Sequence, residues 1–204
     1  MQITNVAAAS FFGGVGRTDR NGEAAEPFAV GLPPSMSLAE KSTEGEFLGL
    51  TMVPEQGESI VYGMVSKLSE ESTADNPVVQ IISNLHGEDK VYNVEINKIN
   101  PSSATQMEMF ALCSYADYIG EGTESTFGSY HTLRVLKETA DANGITPTVS
   151  DGVSAWDEFM NSKKDWALMC MQVCDILKNI PNINARDLFL KGKRLTEFFG
   201  KKAV

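Results

Sequence analysis

Three cysteines and one histidine are the residues whose types could bind a metal ion. Cys170 and Cys174 are four residues apart, so a helix places both thiols on one face. With Cys113 and His131 they would make a four-ligand zinc site, because zinc prefers thiolate and imidazole ligands. All three cysteines, however, fall on apolar stripes of predicted helices, and their spacing differs from that of common zinc hooks. The pattern therefore favours cysteines packed in the core, and we predict no bound metal and no cofactor.

The same thiols raise the hypothesis of a cysteine–histidine enzyme. A thiol nucleophile needs a nearby base, and the chain contains only His86 and His131. His86 falls in a short polar turn. His131 falls in the first turn of a predicted helix, where a protonated ring is mildly disfavoured. No catalytic residue is predicted, and an enzyme with an unrecognised cysteine–histidine or acidic site stays open as an alternative.

A glycine-rich loop, residues 120–128 (GEGTESTFG), precedes one predicted helix. A phosphate-binding loop needs a lysine, whereas this loop has two glutamates, which disfavour an anion. Glu121 and Glu124 could hold a cation together with Asp117, although acids in such loops are more commonly solvated. No small-molecule ligand is identifiable from this pattern.

Charge and composition exclude several classes of partner. The 204-residue chain has a formal charge of −10 and 42% hydrophobic residues, as expected of an acidic folded protein. A polyanion repels nucleic-acid phosphates and anionic lipid, and no apolar run is long enough to span a membrane. An odd number of cysteines favours a reducing compartment. Since no cleavable signal is recognisable, we predict a cytoplasmic protein without nucleic-acid or membrane partners, and export without a cleaved signal stays open.

The first 57 residues differ in character from the rest. They are rich in glycine, alanine, serine, proline and glutamate and have no sustained periodicity, so we predict an irregular acidic N-terminal arm over residues 1–57 and a body over residues 58–204. Two apolar patches interrupt the arm, Phe11-Phe12 and Phe47 to Val53. The second patch is predicted to be a strand or a docking peptide. The residues predicted to dock a partner are Phe11, Phe12, Phe47, Leu48, Leu50, Met52 and Val53.

The body begins with strand patterns and continues with helix patterns. Strands are predicted over residues 59–68, 78–85 and 90–99, the last two joined by a loop of about four residues. Helices are predicted after capping signals at Ser103, Ser154 and Ser162, and over residues 129–143 and 184–199. Strands followed by helices indicate an α+β fold. The prediction is a small antiparallel sheet of about three strands followed by four to five helices.

Parts of the body resemble a family of uncharacterised bacterial proteins. The resemblance is carried by Glu108 to Asp117 (EMFALCSYAD), Thr126 to Tyr130 (TFGSY) and Val91 to Pro101. It implies a bacterial origin and a recurring small domain. The family has no motif tied to an activity, so the resemblance implies no function and no site residues.

The leading hypothesis is a non-enzymatic interaction or structural protein that binds a protein partner or itself. Catalytic residue types are few, the arm is acidic with apolar patches, and the C-terminal segment is basic. The arm would add a strand, Phe47 to Val53, to an exposed sheet edge of the same or a neighbouring chain. An exported effector or appendage component is the remaining alternative.

Overall fold

Strands precede helices along the chain. The structure, a computed structural model, describes residues 45–54, 61–85, 88–146 and 153–202. The predicted α+β fold is confirmed. Over these ranges the elements are β1 (Phe47–Pro54), β2 (Val61–Leu68), β3 (Val78–Leu85), β4 (Glu88–Glu95), a 3-10 turn (Ile96–Lys98), α1 (Gln106–Tyr118), α2 (Gly128–Ala142), α3 (Ala155–Asn161), α4 (Trp166–Leu177) and α5 (Ile183–Lys202).

The four strands form one antiparallel meander in the order β1-β2-β3-β4. This is one strand more than predicted, and the additional strand is β1, at the end of the predicted irregular arm. The pairing of Leu85 with Glu88 leaves two residues between β3 and β4, so the predicted loop of about four residues was too long. β4 ends at Glu95 instead of Ile99, because Ile96 turns into the core in the 3-10 turn and is fully buried.

Alternation divides the sheet into an inner and an outer face. On the inner face, the Ser66 hydroxyl donates to Ser114 Oγ of α1 at 2.9 Å. One row of paired residues crosses the outer face, and it consists of Leu50, Val65, Ile82 and Val91. Both ends of this row are exposed, 54% for Leu50 in β1 and 55% for Val91 in β4.

The helix α1 is central to the packing. Every residue from Met109 to Ala116 except Tyr115 is buried, as expected of a helix covered on most sides. It contacts the sheet on one side and α2 and α3 on the others. Met109, Leu112, Cys113 and Ala116 recur at helical spacing along one face of α1, and each of these residues is fully buried.

Two helix starts differ from the predicted capping positions. Helix α1 begins after Thr105, whose side chain accepts from the Glu108 N–H while Glu108 accepts from the Thr105 N–H. The predicted cap at Ser103 was therefore wrong by two residues. Helix α4 begins after Asp165, which accepts from the Leu168 N–H, so the predicted start at Ser162 was also too early.

One backbone bridge explains both shifts. Ala104 and Lys164 exchange hydrogen bonds, N–H to C=O, of 3.2 and 2.9 Å. The Trp166 indole N–H donates to the Ala104 carbonyl at 2.8 Å. These contacts hold both segments extended up to residues 104 and 164, so neither helix can begin earlier. By contrast, the predicted cap Ser154 does begin α3 and accepts from the Asp157 N–H.

Candidate functional site

The cysteines do not assemble a metal site. All three are buried, and Cys113 and Cys170 lie close enough to interact electrostatically. Burial raises the pKa of the Cys113 and Cys170 thiols, so both stay protonated at neutral pH. His131 is exposed on α2. Among the described residues, no three metal-binding side chains converge, so the zinc hypothesis fails there and core packing of the cysteines is confirmed.

The three acids near the glycine-rich loop are each held by a different partner. Glu121 accepts from Lys201 Nζ at 2.7 Å, and this hydrogen bond lowers the pKa of the Glu121 carboxyl. Glu124 pairs with Arg194 at 2.8 Å. Asp117 is engaged by α2. The cation site hypothesised from these acids is therefore not assembled, because two of the three carboxylates bind lysine or arginine of α5.

Asp117 fastens the loop and the start of α2 to α1. Its carboxylate accepts from the Ser129 N–H at 2.7 Å and from the Ser129 hydroxyl at 2.5 Å. The Thr123 N–H in turn donates to Ser129 Oγ at 2.8 Å. A side chain at Gly122 would overlap the Asp117 carboxylate, so glycine is required for the loop to close over it. Ser129 is fully buried and its hydroxyl proton is directed to Asp117, which makes it a structural residue.

A groove of about 740 Å³ runs between β1 and the glycine-rich loop, residues 120–128. One wall is the edge strand β1 from Phe47 to Met52. Phe110 and Ser114 of α1 line the groove, and Phe127, His131 and Arg134 line the side formed by the loop and α2. Phe127 is 76% exposed.

The groove's two sides are held at fixed positions. The Tyr130 ring packs on Phe110 with centroids 4.9 Å apart, and its hydroxyl accepts from Gln106 at 2.9 Å. The Thr51 side chain of β1 lies near the Tyr130 hydroxyl, and burial raises the pKa of this phenol. The Phe127 ring lies against His131, with centroids 5.3 Å apart. The groove is therefore built into the fold, with an exposed aromatic ring at its opening.

The predicted docking residues in β1 divide by orientation. Phe47, Leu50 and Met52 are exposed by 58, 54 and 57%. Leu48 is half-buried at an irregularity in the pairing between Phe47 and Gly49. Val53 belongs to the core, so it is not available to a partner. Phe11 and Phe12 lie outside the described residues, and the boundary predicted at residue 57 stays a prediction.

The two edges of the sheet differ in charge. Edge strands are normally protected from pairing with other chains by charged side chains. Strand β4 (EDKVYNVE) carries four charged residues, whereas β1 (FLGLTMVP) carries none. Among the described strands, only β2 pairs with β1. The edge strand without charged residues is the one that borders the groove.

Sequence reasoning missed Phe127 and Arg134 as groove residues. The glycine-rich loop and His131 were candidates for ion or thiol chemistry, and the docking residues of β1 were predicted separately. The structure brings these segments to one groove. The available signal was Phe127 itself, a large apolar residue in an otherwise polar loop directly before a helix.

The chain matches no protein-family model, no curated protein and no solved structure. This finding agrees with the resemblance to an uncharacterised family, and the bacterial origin that the resemblance implies stays a prediction. Within the described ranges, none of the helices is both long and apolar enough to cross a bilayer.

Proposed function

We propose that this protein is an interaction protein that binds an extended segment of a protein by β-strand addition at β1. The observation that carries the proposal is the contrast between the two sheet edges. Uncharged β1 borders a groove with exposed apolar side chains, and the opposite edge carries four charged residues. A sheet edge without charge is a template for another strand unless something covers it.

The arrangement supplies both affinity and selectivity to such a complex. An added strand would bind the N–H and C=O groups of β1 that no described strand pairs, each hydrogen bond contributing about 1 kcal/mol net. Side chains on the outer face of the added strand would extend the row that ends at Leu50, which is 54% exposed. Alternate side chains would enter the groove and meet Phe127 and His131. The expected ligand therefore has apolar residues on both faces of its strand.

The expected setting of this interaction is the cytoplasm. All three cysteines are free thiols in the core, which suits a reducing compartment. No small molecule or nucleic acid is part of the proposal, because the groove is bordered by a peptide backbone and aromatic rings and the chain carries a charge of −10.

A selected peptide can test strand addition directly. Random decapeptides displayed on phage would be selected against the full-length protein, and the best binder would be labelled for fluorescence anisotropy. Leu50→Lys is expected to weaken its binding at least about tenfold, which corresponds to about 1.4 kcal/mol. Val91→Lys is the matched control, because Val91 ends the same cross-strand row at the other edge and is equally exposed.

The backbone hydrogen bonds can be tested on the same peptide. In antiparallel pairing only alternate residues of the added strand point their N–H groups towards β1. N-methylation of the peptide at successive positions is therefore expected to weaken binding at every second position. Equal losses for Leu50→Lys and Val91→Lys, or N-methyl effects without this period of two, would refute strand addition at β1.

A further inference from the structure

Two carboxylates, one histidine and one arginine line the groove beside β1. Both carboxylates have partners within the fold. Asp117 accepts two hydrogen bonds from Ser129, and Glu124 pairs with Arg194 of α5 at 2.8 Å. The histidine ring packs against an aromatic ring of the glycine-rich loop. The negative charges of the groove are therefore stabilised by contacts within the fold before any ligand binds.

Arg134 is the only lysine or arginine among the described residues that line the groove. Within the ranges that the structure describes, the only acidic side chain at ion-pair distance from it is Glu138, one helical turn further along α2. The two side chains are 3.9 Å apart, which is too long for a hydrogen bond, and they are 39 and 68% exposed, so this pair contributes little. The Arg134 guanidinium therefore keeps N–H donors available for a ligand.

Arg134 lies on the side of the groove opposite β1. Tyr130 precedes it by one helical turn, so both side chains lie on the same face of α2. The Arg134 charge acts on the Tyr130 hydroxyl, and the Thr51 side chain of β1 lies near that hydroxyl. Thr51 is buried and pairs with buried Met64, so it belongs to the inner face of the sheet. A ligand residue opposite Thr51 would point to the same face, towards Arg134.

From this geometry we infer that the strand recognised at β1 carries one acidic side chain, which faces the groove among apolar residues and binds Arg134. The inference rests on the function proposed above and names the chemistry of its ligand. Arginine and a carboxylate form paired charge-assisted hydrogen bonds, and the contact would fix the register of the strand by placing its acid opposite Thr51. A run of acids is not expected, since Asp117 and Glu124 line the same groove and the chain carries a charge of −10.

Parallel selections of peptides test the inference on the full-length protein. Random decapeptides displayed on phage would be selected against the wild type and against Arg134→Gln, Arg134→Glu and Arg186→Gln. We expect the wild-type binders to share an aspartate or glutamate at one position of the strand. The binders of Arg134→Gln should lack this preference, and those of Arg134→Glu should carry lysine or arginine there. Arg186→Gln is the matched control, because it makes the same change of charge at an exposed arginine outside the groove, and it should select as the wild type does.

A double-mutant cycle measures the contact itself. The best wild-type binder is labelled and compared, by fluorescence anisotropy, with the same peptide in which glutamine or asparagine replaces the acid. This replacement is expected to weaken binding to the wild type about fivefold and to have no effect on binding to Arg134→Gln. Arg134→Lys should keep part of the preference, because lysine retains the charge without the paired geometry. The comparison of the wild type with Arg134→Lys does not depend on the folding of Arg134→Gln.

The failure of this inference can be told apart from the failure of the proposed function. If the selected peptides bind at β1, as judged by Leu50→Lys and by the N-methyl period of two, but share no acid, the inference is refuted and the proposed function stands. Equal losses on replacing the acid in the wild type and in Arg134→Gln would also refute the inference, since another group would then bind the acid. If no selected peptide depends on Leu50, both fail.

Discussion

Removal of the Asp117 carboxylate is the sharpest test of how the groove is built. Asp117→Ala eliminates two hydrogen bonds to Ser129, of 2.7 and 2.5 Å, at the first turn of α2. Hydrogen bonds to a charged group contribute about 1.5–3 kcal/mol each, and partial exposure of Asp117 places them at the lower end. A negative charge near a helix N-terminus adds a few tenths of a kcal/mol of stability. We therefore expect the free energy of unfolding to fall by about 3 kcal/mol.

The assay is urea unfolding followed by tryptophan fluorescence, because Trp166 is buried in the core. Asp187→Ala is a suitable control, since its carboxylate pairs with Lys191 on the surface of α5 and such pairs contribute little. That variant is expected to stay within about 0.5 kcal/mol of the wild type. A loss below about 1 kcal/mol in Asp117→Ala would refute the role assigned to this carboxylate.

Three further predictions concern the interior and the helix starts. Thr105→Ala is expected to cost about 1 kcal/mol in urea unfolding and Ser103→Ala almost nothing, because Thr105 caps α1; equal effects would contradict this assignment. Gly192→Ala should lower the stability by about 1 kcal/mol or more despite alanine's helix propensity, because its Cβ would lie 2.9 Å from Cys174 Sγ; a more stable variant would contradict the close packing. Burial raises the pKa of the Cys113 and Cys170 thiols in the folded protein. Their contribution to the free energy of unfolding is therefore present below the ordinary thiol pKa of 9.0 and is lost as the pH rises above it, because the thiols of the unfolded chain ionise first. Urea midpoints from pH 7 to 10 should therefore fall less steeply in a variant with alanine at both cysteines, and parallel curves would argue against this linkage.

Local patterns in the sequence predicted most elements of the fold. Strand β3 was predicted with its observed limits, and β2 within two residues, because β-branched runs report directly on half-buried strands. The inward residues of α1 followed from a period of 3.6. These features depend on residues close together in the chain, which is why one sequence suffices to predict them.

Features that depend on distant residues escaped prediction. Ser103 was predicted to cap α1, but Thr105 caps it because the bridge between Ala104 and Lys164 holds the preceding residues extended. Helix α2 has no capping side chain of its own at Phe127, because Asp117 of α1 supplies the acceptor. The groove likewise combines β1 with residues more than 70 positions later. No periodicity or local motif contains that information.

The bridge between residues 104 and 164 also couples the opening of α1 to that of α4. Its indole contact joins residues 62 positions apart, and closing such a loop costs about 4 kcal/mol of chain entropy. Both helix starts depend on this single loop closure, because the same contacts hold the residues before α1 and before α4. The first turns of these two helices should therefore open together, and their amide hydrogens are expected to exchange with solvent as one cooperative unit.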